Sequence, residues 1–256
     1  MQFLRHRLGR VPASRIKKVI LMSKRHREES NSVYWPAQAS KLKRGPAVIL
    51  PKDAGLIIAL SGIDKSSTVL DAGAGSGWLA VQLGRVAARV VSYEVRDEFA
   101  KIAAGNAKKA GLDNVEVRLR NVLADGFDEQ DADLICLDLA DSDQMLTHAF
   151  SSLKENGVVV GYLPHAEQLK AFVQAGTEAG FGQWYCCECN VREILVRAHG
   201  VRPANTGLLY TAYLAFGRKM ARAAEKKPPA PRPTPHGRPK EEPSKRDEEP
   251  ILHGIV

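Results

Sequence analysis

The chain has 256 residues and is short of several features that mark particular classes of protein. It contains four cysteines, three of them at positions 186, 187 and 189, which is not the framework of a secreted disulfide-bonded protein. A zinc site needs four ligands, and only Cys136 and distant histidines could complete one around this group. We therefore expect free thiols in a strand and no metal.

Long apolar runs are also missing from the sequence. No run reaches the roughly 18 to 20 residues that a membrane-spanning helix needs, and no apolar signal core follows the basic N-terminus. The sequence thus predicts a cytoplasmic protein with no membrane partner. Its length suits one sizeable α/β domain with appendages and is too short for two large domains.

Acidic residues are scarce in the first part of the chain, and prolines are concentrated in the last. Residues 1–52 carry 13 Lys and Arg against 2 Asp and Glu, whereas residues 53–220 carry 16 against 21. A basic segment such as Arg15–Arg27 is either an ordinary solvated face or a surface for a polyanion, and its density favours nucleic acid. Residues 221–256 hold eight of the fourteen prolines and few apolar residues, which predicts a disordered tail.

The most informative segment present is Thr68–Gly77, an apolar strand that leads into three glycines at alternate positions. Without a Cβ at Gly73, Gly75 and Gly77, the backbone can turn sharply and approach a bound ligand closely. The spacing is G-x-G-x-G, whereas the dinucleotide fingerprint is G-x-G-x-x-G. The loop therefore predicts a nucleotide-like ligand at the end of a strand.

Two acidic residues help to choose the ligand. Glu94 ends the next predicted strand, where a carboxylate can hold ribose hydroxyls, and this suits either NAD or S-adenosylmethionine. Asp71 directly precedes the glycines and would repel a pyrophosphate, but it would attract the cationic amino-acid end of S-adenosylmethionine. A tight structural turn that binds nothing is the plainer alternative.

From residue 66 onward, predicted strands and helices alternate, which is typical of a doubly wound parallel sheet. We expect strands at 67–72, 89–94, 114–119, 132–138 and 157–162, and helices near 77–87, 96–110, 142–154 and 165–179. Two longer runs, 183–198 and 206–217, are predicted to form a hairpin at the sheet edge. The fold class is therefore α/β.

These features together resemble the class I S-adenosylmethionine-dependent methyltransferases. Gly45–Gly55 narrows the match, because it is similar to the Tyr-Pro-Lys-Asp-Ala segment of the tRNA N1-methyladenosine methyltransferases, which modify the T-loop. Further segments agree with that family, namely Ser92–Ala100, Leu137–Leu139, Gly161–Gln168, Glu188–Glu193, Arg202–Pro203 and Thr211–Lys219. The resemblance implies a Rossmann-like, mostly parallel seven-stranded sheet with a C-terminal antiparallel hairpin. It divides the chain into a short basic region (1–44), a methyltransferase domain (45–220) and a tail (221–256).

The resemblance also implies site residues and partners. Glu94 would hold the ribose, and Asn121 stands where the family commonly has an aspartate against the adenine amino group. The residues implied around the methionine part of S-adenosylmethionine are Asp71, Gly73, Gly75, Ser76, Gly77 and, beside them, Trp78. Asp138, at the end of the fourth strand, corresponds to the catalytic aspartate and also borders the cofactor. The implied substrate is tRNA, and the family is generally tetrameric.

The implied chemistry explains why a carboxylate stands at position 138. Methylation of adenine N1 leaves positive charge on the ring, and Asp138 could accept a hydrogen bond from the exocyclic amine and stabilise that charge. It could also align N1 with the methyl–sulfur bond. The base must first leave the RNA fold, and Tyr162 could stack on it. The plainer alternatives are a helix cap for Asp138 and a half-buried strand aromatic for Tyr162.

The chain departs from the family at the predicted base pocket. Leu50 replaces the tyrosine of the Tyr-Pro-Lys-Asp segment, Ala140–Gln144 replaces a Pro-x-Pro-Trp-like loop, and Tyr210 replaces a histidine. Only about 45 residues precede the resemblance, so RNA affinity is expected to depend more on the basic arm. Two other functions stay open: an isoaspartate-type protein carboxyl methyltransferase, and a non-catalytic tRNA-binding subunit.

Overall fold

The computed structural model describes residues 37–45, 48–205 and 210–220. All of them lie in one compact unit of the chain. The predicted RNA-binding part of the basic arm, up to residue 36, and the predicted disordered tail at 221–256 lie outside the described residues.

The helices and strands alternate along the chain as predicted. The strands are β1 (Thr68–Ala72), β2 (Arg89–Glu94), β3 (Val115–Leu119), β4 (Ala132–Leu137), β5 (Leu153–Leu163), β6 (Phe181–Glu188), β7 (Ile194–Arg197), β8 (Gly200–Pro203) and β9 (Tyr213–Lys219). The α-helices are α1 (Pro51–Ser61), α2 (Trp78–Gly84), α3 (Asp97–Ala110), α4 (Val122–Asp125), α5 (Leu146–Ser152) and α6 (Ala166–Ala179). Short 3₁₀ helices span Ala37–Lys41 and Ser142–Met145.

Seven strands form one sheet in the order β3-β2-β1-β4-β5-β9-β6. The first five strands of the chain run parallel, and β9 is antiparallel to both β5 and β6. This confirms the predicted fold class. Strand β2 lies on one side of β1, and β4 lies on the other. The strand order therefore reverses between β1 and β4, and a crevice opens at their carboxyl ends.

The expectation of two long C-terminal strands joined by one loop was wrong in detail. The first run stops at Glu188, and β7 and β8 form a separate two-stranded sheet before the chain returns as β9. Strand β9 pairs with β5 and leaves β6 at the edge, so the predicted antiparallel hairpin at the sheet edge is present. The pattern of β-branched residues predicts strands, but it does not say which strand is the partner.

The sequence pattern also did not predict helix α1. It starts with Pro51 in its first turn and ends at Gly62, which adopts a left-handed conformation with φ of 72°. Both signals are typical of helix boundaries, because proline needs no hydrogen-bond partner there and glycine tolerates positive φ. The predicted end of α3 at Gly111 is confirmed by the same left-handed conformation.

Both faces of the sheet are covered, which explains the nearly continuous apolar strands. Alternate residues of β1 and β4 point to opposite faces, so Leu70 and Ile135 pack in the layer of α5 and α6. Val69 and Leu134 pack in the layer of α1 and α2. All four side chains are fully buried. The sheet is therefore a rigid support for the loops at its carboxyl edge.

Within the described ranges, none of the helices is both long and apolar enough to cross a membrane.

Candidate active site

The glycine loop is held against two neighbouring elements. The N–H groups of Gly73 and Ala74 donate to the carbonyl oxygen of Tyr93, at 3.0 and 2.9 Å, and tie the loop to the end of β2. Gly73 has φ of 94°, and a Cβ on it would overlap the carbonyl oxygen of Asp138. At Gly77 a Cβ would come within 2.9 Å of Ala103 in α3. These two glycines therefore permit close packing of β4 and α3.

Gly75 differs from the other two glycines because its surroundings are open. It has φ of 52°, and the nearest atom to an added Cβ, outside its two chain neighbours, would be 4.0 Å away. The space beside the middle of the loop is therefore available to a ligand.

Three acidic side chains meet at the carboxyl ends of β1, β2 and β4. Asp71 is 1% exposed and accepts a hydrogen bond of 2.6 Å from the Ser92 hydroxyl. Burial raises the pKa of Asp71 to about 6, the charge of Glu94 adds to this, and the Ser92 hydrogen bond opposes it. Burial, with the charges of Asp71 and Glu94, raises the pKa of Asp138 to about 7. Such mutual repulsion favours a cationic ligand at this edge.

Asp138 and Asp71 have no cationic partner within the described residues. The Asp138 N–H donates to the Ala72 carbonyl at 2.9 Å, which fixes the backbone, but its carboxylate has no hydrogen bond in the part of the chain described. Asp138 is therefore not a helix cap, contrary to the plainer alternative. A carboxylate held in this way can receive a donor from a ligand.

Glu94 is fixed on the glycine loop by several donors. Its Oε2 accepts the Gly75 N–H at 2.8 Å, and its Oε1 accepts the N–H groups of Val95 and Arg96 at 3.1 Å. The Arg96 guanidinium also donates to Oε1 at 3.1 Å. Because each carboxylate oxygen has two lone pairs, Oε2 retains capacity for one more donor.

A shallow depression lies beside the glycine loop and the end of β2, and neither Asp71 nor Asp138 lines it. Three predicted cofactor residues line it, Gly73, Glu94 and Asn121, and the Asn121 side chain accepts the Leu123 N–H at 3.2 Å at the start of α4. Its remaining wall is largely apolar, with Val95, Val122, Leu123 and Leu139. Sequence reasoning missed this wall. One sequence signal was available, since an apolar residue, Val95, directly follows Glu94 at the predicted end of β2. The structure leaves this side chain 59% exposed.

Ser76 and Trp78 turn their side chains away from this depression. The Ser76 hydroxyl accepts the Gly45 N–H at 3.1 Å. The Trp78 indole donates to the Lys43 carbonyl at 3.1 Å and packs in the cluster of Ala39 and Leu42. Both side chains thus attach the residues before α1 to the glycine loop, and any contact with a ligand would come from their backbone.

Tyr162 lies next to Asp138 at the carboxyl edge of the sheet. The register of β4 and β5 sets Leu137 opposite Gly161, so Asp138 and Tyr162 continue neighbouring strands at the same edge. Burial raises the pKa of Tyr162 above its usual range, and the charges of Asp53 and Asp138 raise it further. The structure therefore brings the two predicted catalytic residues together.

A network that sequence reasoning did not predict lies next to Tyr162. The Lys52 ammonium donates to Asp53 Oδ1 at 2.7 Å, to the Cys189 carbonyl at 2.6 Å and to the Thr211 hydroxyl at 2.7 Å. The Thr211 hydroxyl donates to Asp53 Oδ2 at 2.9 Å. This network joins α1 to the residue that follows β6 and to the segment that precedes β9.

A larger depression, of about 210 Å³, lies at the opposite end of the strands. It is lined by residues such as Leu60, Val158, Tyr185 and Phe216, and no carboxylate lines it. Ligands of doubly wound sheets bind at the carboxyl ends of strands, so the acidic edge is the candidate site.

All four cysteines are free thiols, and the described ranges hold no group of three or more His, Cys, Asp or Glu placed to bind a metal.

The strand order, the glycine loop and the carboxylates beside it define a Rossmann-like methyltransferase fold of class I. A family model described as tRNA methyltransferase complex GCD14 subunit matches residues 39–227. The chain therefore belongs to this family, which confirms the resemblance inferred from the sequence.

Individual proteins agree with this assignment. The tRNA (adenine(57)-N(1)/adenine(58)-N(1))-methyltransferase TrmI of Methanocaldococcus jannaschii is 34% identical over an alignment of 207 residues that covers 70% of this chain and 73% of that protein. The crystal structure of the tRNA (m1A58) methyltransferase TrmI from Aquifex aeolicus superposes with a TM-score of 0.68 at 30% identity and covers 74% of this chain and 78% of its own. A SAM-dependent O-methyltransferase from Thermotoga maritima has a TM-score of 0.70 at 28% identity, with 74% of each chain covered.

Proposed function

We propose that this protein transfers the methyl group of S-adenosylmethionine to N1 of an adenine in the tRNA T-loop, at a site of the position 57/58 type. Family membership supports the substrate and the reaction. The observation that carries the proposal to this chain is Asp138, a carboxylate without a partner of its own in the described residues, beside the glycine loop.

The residues at the acidic edge fit S-adenosylmethionine, which supplies a methyl group activated by its positive sulfur. Asp71 and Asp138 suit a cationic ligand, and the open side of Gly75 leaves space for it. We assign Asp71, Gly73, Gly75, Ser76, Gly77 and Trp78 to the methionine part. Ser76 and Trp78 would contact it through their backbone atoms. Glu94 would accept a ribose hydroxyl, and Asn121 would accept a hydrogen bond from the adenine amino group.

The acceptor side of the mechanism belongs to Asp138 and Tyr162. Adenine N1 has a lone pair and needs no base, but positive charge develops on the ring as the methyl group is transferred. The Asp138 carboxylate accepts a hydrogen bond from the exocyclic amine and stabilises this charge, and a dry site strengthens the effect. Tyr162 stacks on the extruded base and holds N1 in line.

Nucleoside mapping tests the proposal most directly. We would incubate the full chain with labelled S-adenosylmethionine and unmodified tRNA, digest the RNA and identify the methylated nucleosides. We expect N1-methyladenosine from the T-loop. Label in an isoaspartyl peptide instead would support a carboxyl methyltransferase, and tRNA binding without thermal stabilisation by S-adenosylmethionine would support a non-catalytic subunit.

Gly73→Ala is expected to damage the cofactor site. The residue has φ of 94°, and its new Cβ would overlap the Asp138 carbonyl oxygen, so the end of β4 must move. We expect a loss of more than about 1 kcal/mol of unfolding free energy and a much smaller rise in Tm on adding S-adenosylmethionine.

Gly105→Ala is the matched control for Gly73→Ala. It lies within α3, and an added Cβ would meet no heavy atom within 4 Å. Alanine is the better helix former, so this variant should gain about 0.5–1 kcal/mol and keep the full ligand response. A Gly73→Ala protein with wild-type stability and ligand response would contradict the assigned packing.

The finer parts of the proposal concern partners and location. We propose that the basic region at 1–44 contributes to tRNA binding, that 45–220 is the catalytic domain and 221–256 a disordered tail, and that the protein is a cytoplasmic homotetramer. The exposed apolar side chains of the β7–β8 sheet support an interface between copies, since Val196 is 75% and Val201 65% exposed. Light scattering of the purified protein tests the assembly, and a monomeric mass would refute it.

A further inference from the structure

The segment that leads into β9 carries one exposed aromatic side chain that the proposed mechanism does not use. Tyr210 is 46% exposed. Leu50, by contrast, is 6% exposed and carries no ring, so it cannot stack on a base. A site that handles an unpaired RNA base generally offers it an aromatic face.

Tyr210 is held in place by contacts with two neighbouring segments. Its hydroxyl donates to the Pro164 carbonyl at 2.6 Å, directly after β5. Its ring contacts the edge of the Tyr213 ring, with centroids 5.4 Å apart and an angle of 61°. Two contacts with different elements reduce the side-chain entropy that binding would otherwise cost.

The sheet register places this ring close to the predicted acceptor residues. Tyr213 is paired with Leu163 and Leu214 with Tyr162, so Tyr210, three residues before Tyr213, lies beyond the carboxyl end of β5, the end that carries Tyr162. Tyr162 is half-buried, and the charge of Asp138 contributes to raising its pKa. Exposed Tyr210 and half-buried Tyr162 are thus both placed at the edge of the sheet that carries Asp138.

We propose that Tyr210 is a tRNA-binding residue that stacks on an unpaired base flanking the target adenine. The inference rests on the proposed function. Tyr162 meets the target adenine next to Asp138, and Tyr210 meets the next base because it is farther out and more exposed. In this chain it supplies an aromatic contact that Leu50 cannot provide.

Tyr210→Ala tests the inference through tRNA affinity. Base–aromatic stacking is strong enough that its removal should weaken tRNA binding about tenfold or more. The equilibrium Kd would be measured by fluorescence anisotropy with unmodified tRNA and the full chain at fixed salt. The salt dependence of Kd should stay unchanged, because no phosphate contact is lost.

Three further variants separate stacking from a structural role. Tyr210→Phe keeps the ring and loses the hydrogen bond to Pro164, so it should bind tRNA like wild type. Tyr210→Leu keeps apolar bulk without a ring and should bind as weakly as the alanine variant. Tyr185→Ala removes another exposed tyrosine, 55% exposed on edge strand β6, and should leave tRNA affinity unchanged.

The outcomes distinguish this inference from the proposed function. Wild-type affinity in both Tyr210→Ala and Tyr210→Leu would overturn the stacking role, even if wild-type protein makes N1-methyladenosine. A phenylalanine variant as weak as alanine would also overturn it, since the hydrogen bond would then be the cause. If wild-type protein binds tRNA without methylating it, the proposed function fails and the affinity comparison still decides the role of Tyr210.

Discussion

Asp138→Asn should lower the rate of methyl transfer by about 100-fold to 1,000-fold, the range found when one group that stabilises transition-state charge is removed. Asparagine has nearly the same shape but no charge, so it cannot stabilise the positive ring. S-adenosylmethionine binding should fall far less than the rate, because Asp71 and Glu94 remain in place. Single-turnover rates with saturating tRNA give the rate effect, and the thermal shift with S-adenosylmethionine gives the binding.

The pH dependence provides an internal check on this role. The pKa of Asp138 is raised to about 7, so the carboxylate is protonated below that pH and ionised above it. The proposed role needs the ionised form, so kcat/KM of the wild type should rise as pH increases through about 7. In the asparagine variant, kcat/KM should not rise with pH in this range.

Stability should respond in the opposite direction. A carboxyl whose pKa is raised on folding favours the protonated folded state, so its contribution is lost as pH rises through about 7. Asp138→Asn should therefore be more stable than wild type at pH 8. Asp113→Asn, at an exposed position between α3 and β3 and away from the carboxyl edge of the sheet, is the control and should leave rate and stability unchanged. Full activity in Asp138→Asn would remove Asp138 from its assigned role.

Asp53→Ala should destabilise the protein by about 3–5 kcal/mol, the cost of breaking a buried ion pair by removing one partner. Asp53 is fully buried and the Lys52 side chain is 9% exposed. Without the carboxylate, the Lys52 ammonium stays buried with only the Cys189 carbonyl and the Thr211 hydroxyl as partners. Urea unfolding measures the change in free energy.

Two comparisons make the Asp53 prediction specific. Lys101→Ala breaks an exposed pair with Asp97 in α3 and should cost at most about 0.5 kcal/mol. The double variant Lys52→Met with Asp53→Leu removes both charges and should be much closer to wild type than Asp53→Ala. A loss below about 1 kcal/mol in Asp53→Ala would show that the pair does not hold α1 against β6 and β9.

The placement of most candidate cofactor residues could be predicted, because the signals for them are local in the chain. Gly73, Gly75 and Gly77 follow an apolar strand directly, and Glu94 ends the next one, so the topology of parallel strands alone brings them to one edge. That no Lys or Arg among the described residues pairs with Asp138 could not be predicted. It depends on which side chains all the neighbouring helices and strands place near this carboxylate.

The acceptor side was less predictable because its contacts join distant parts of the chain. Lys52 and Thr211 are 159 residues apart in sequence, and their hydrogen bond exists only because β9 inserts between β5 and β6. The same insertion sets Tyr210 beside Pro164. No periodicity or spacing within either segment carries that information.

The sequence by itself determined the doubly wound sheet, the ligand loop and the family, since alternating apolar strands, glycine positions and segment signatures act through nearest neighbours. Tertiary structure alone decided which glycine has open space, which carboxylates repel one another and which tyrosine is exposed beside Pro164. The reason is that burial and electrostatic interaction depend on distance in space, and the sheet sets that distance only after strands from both ends of the domain have paired.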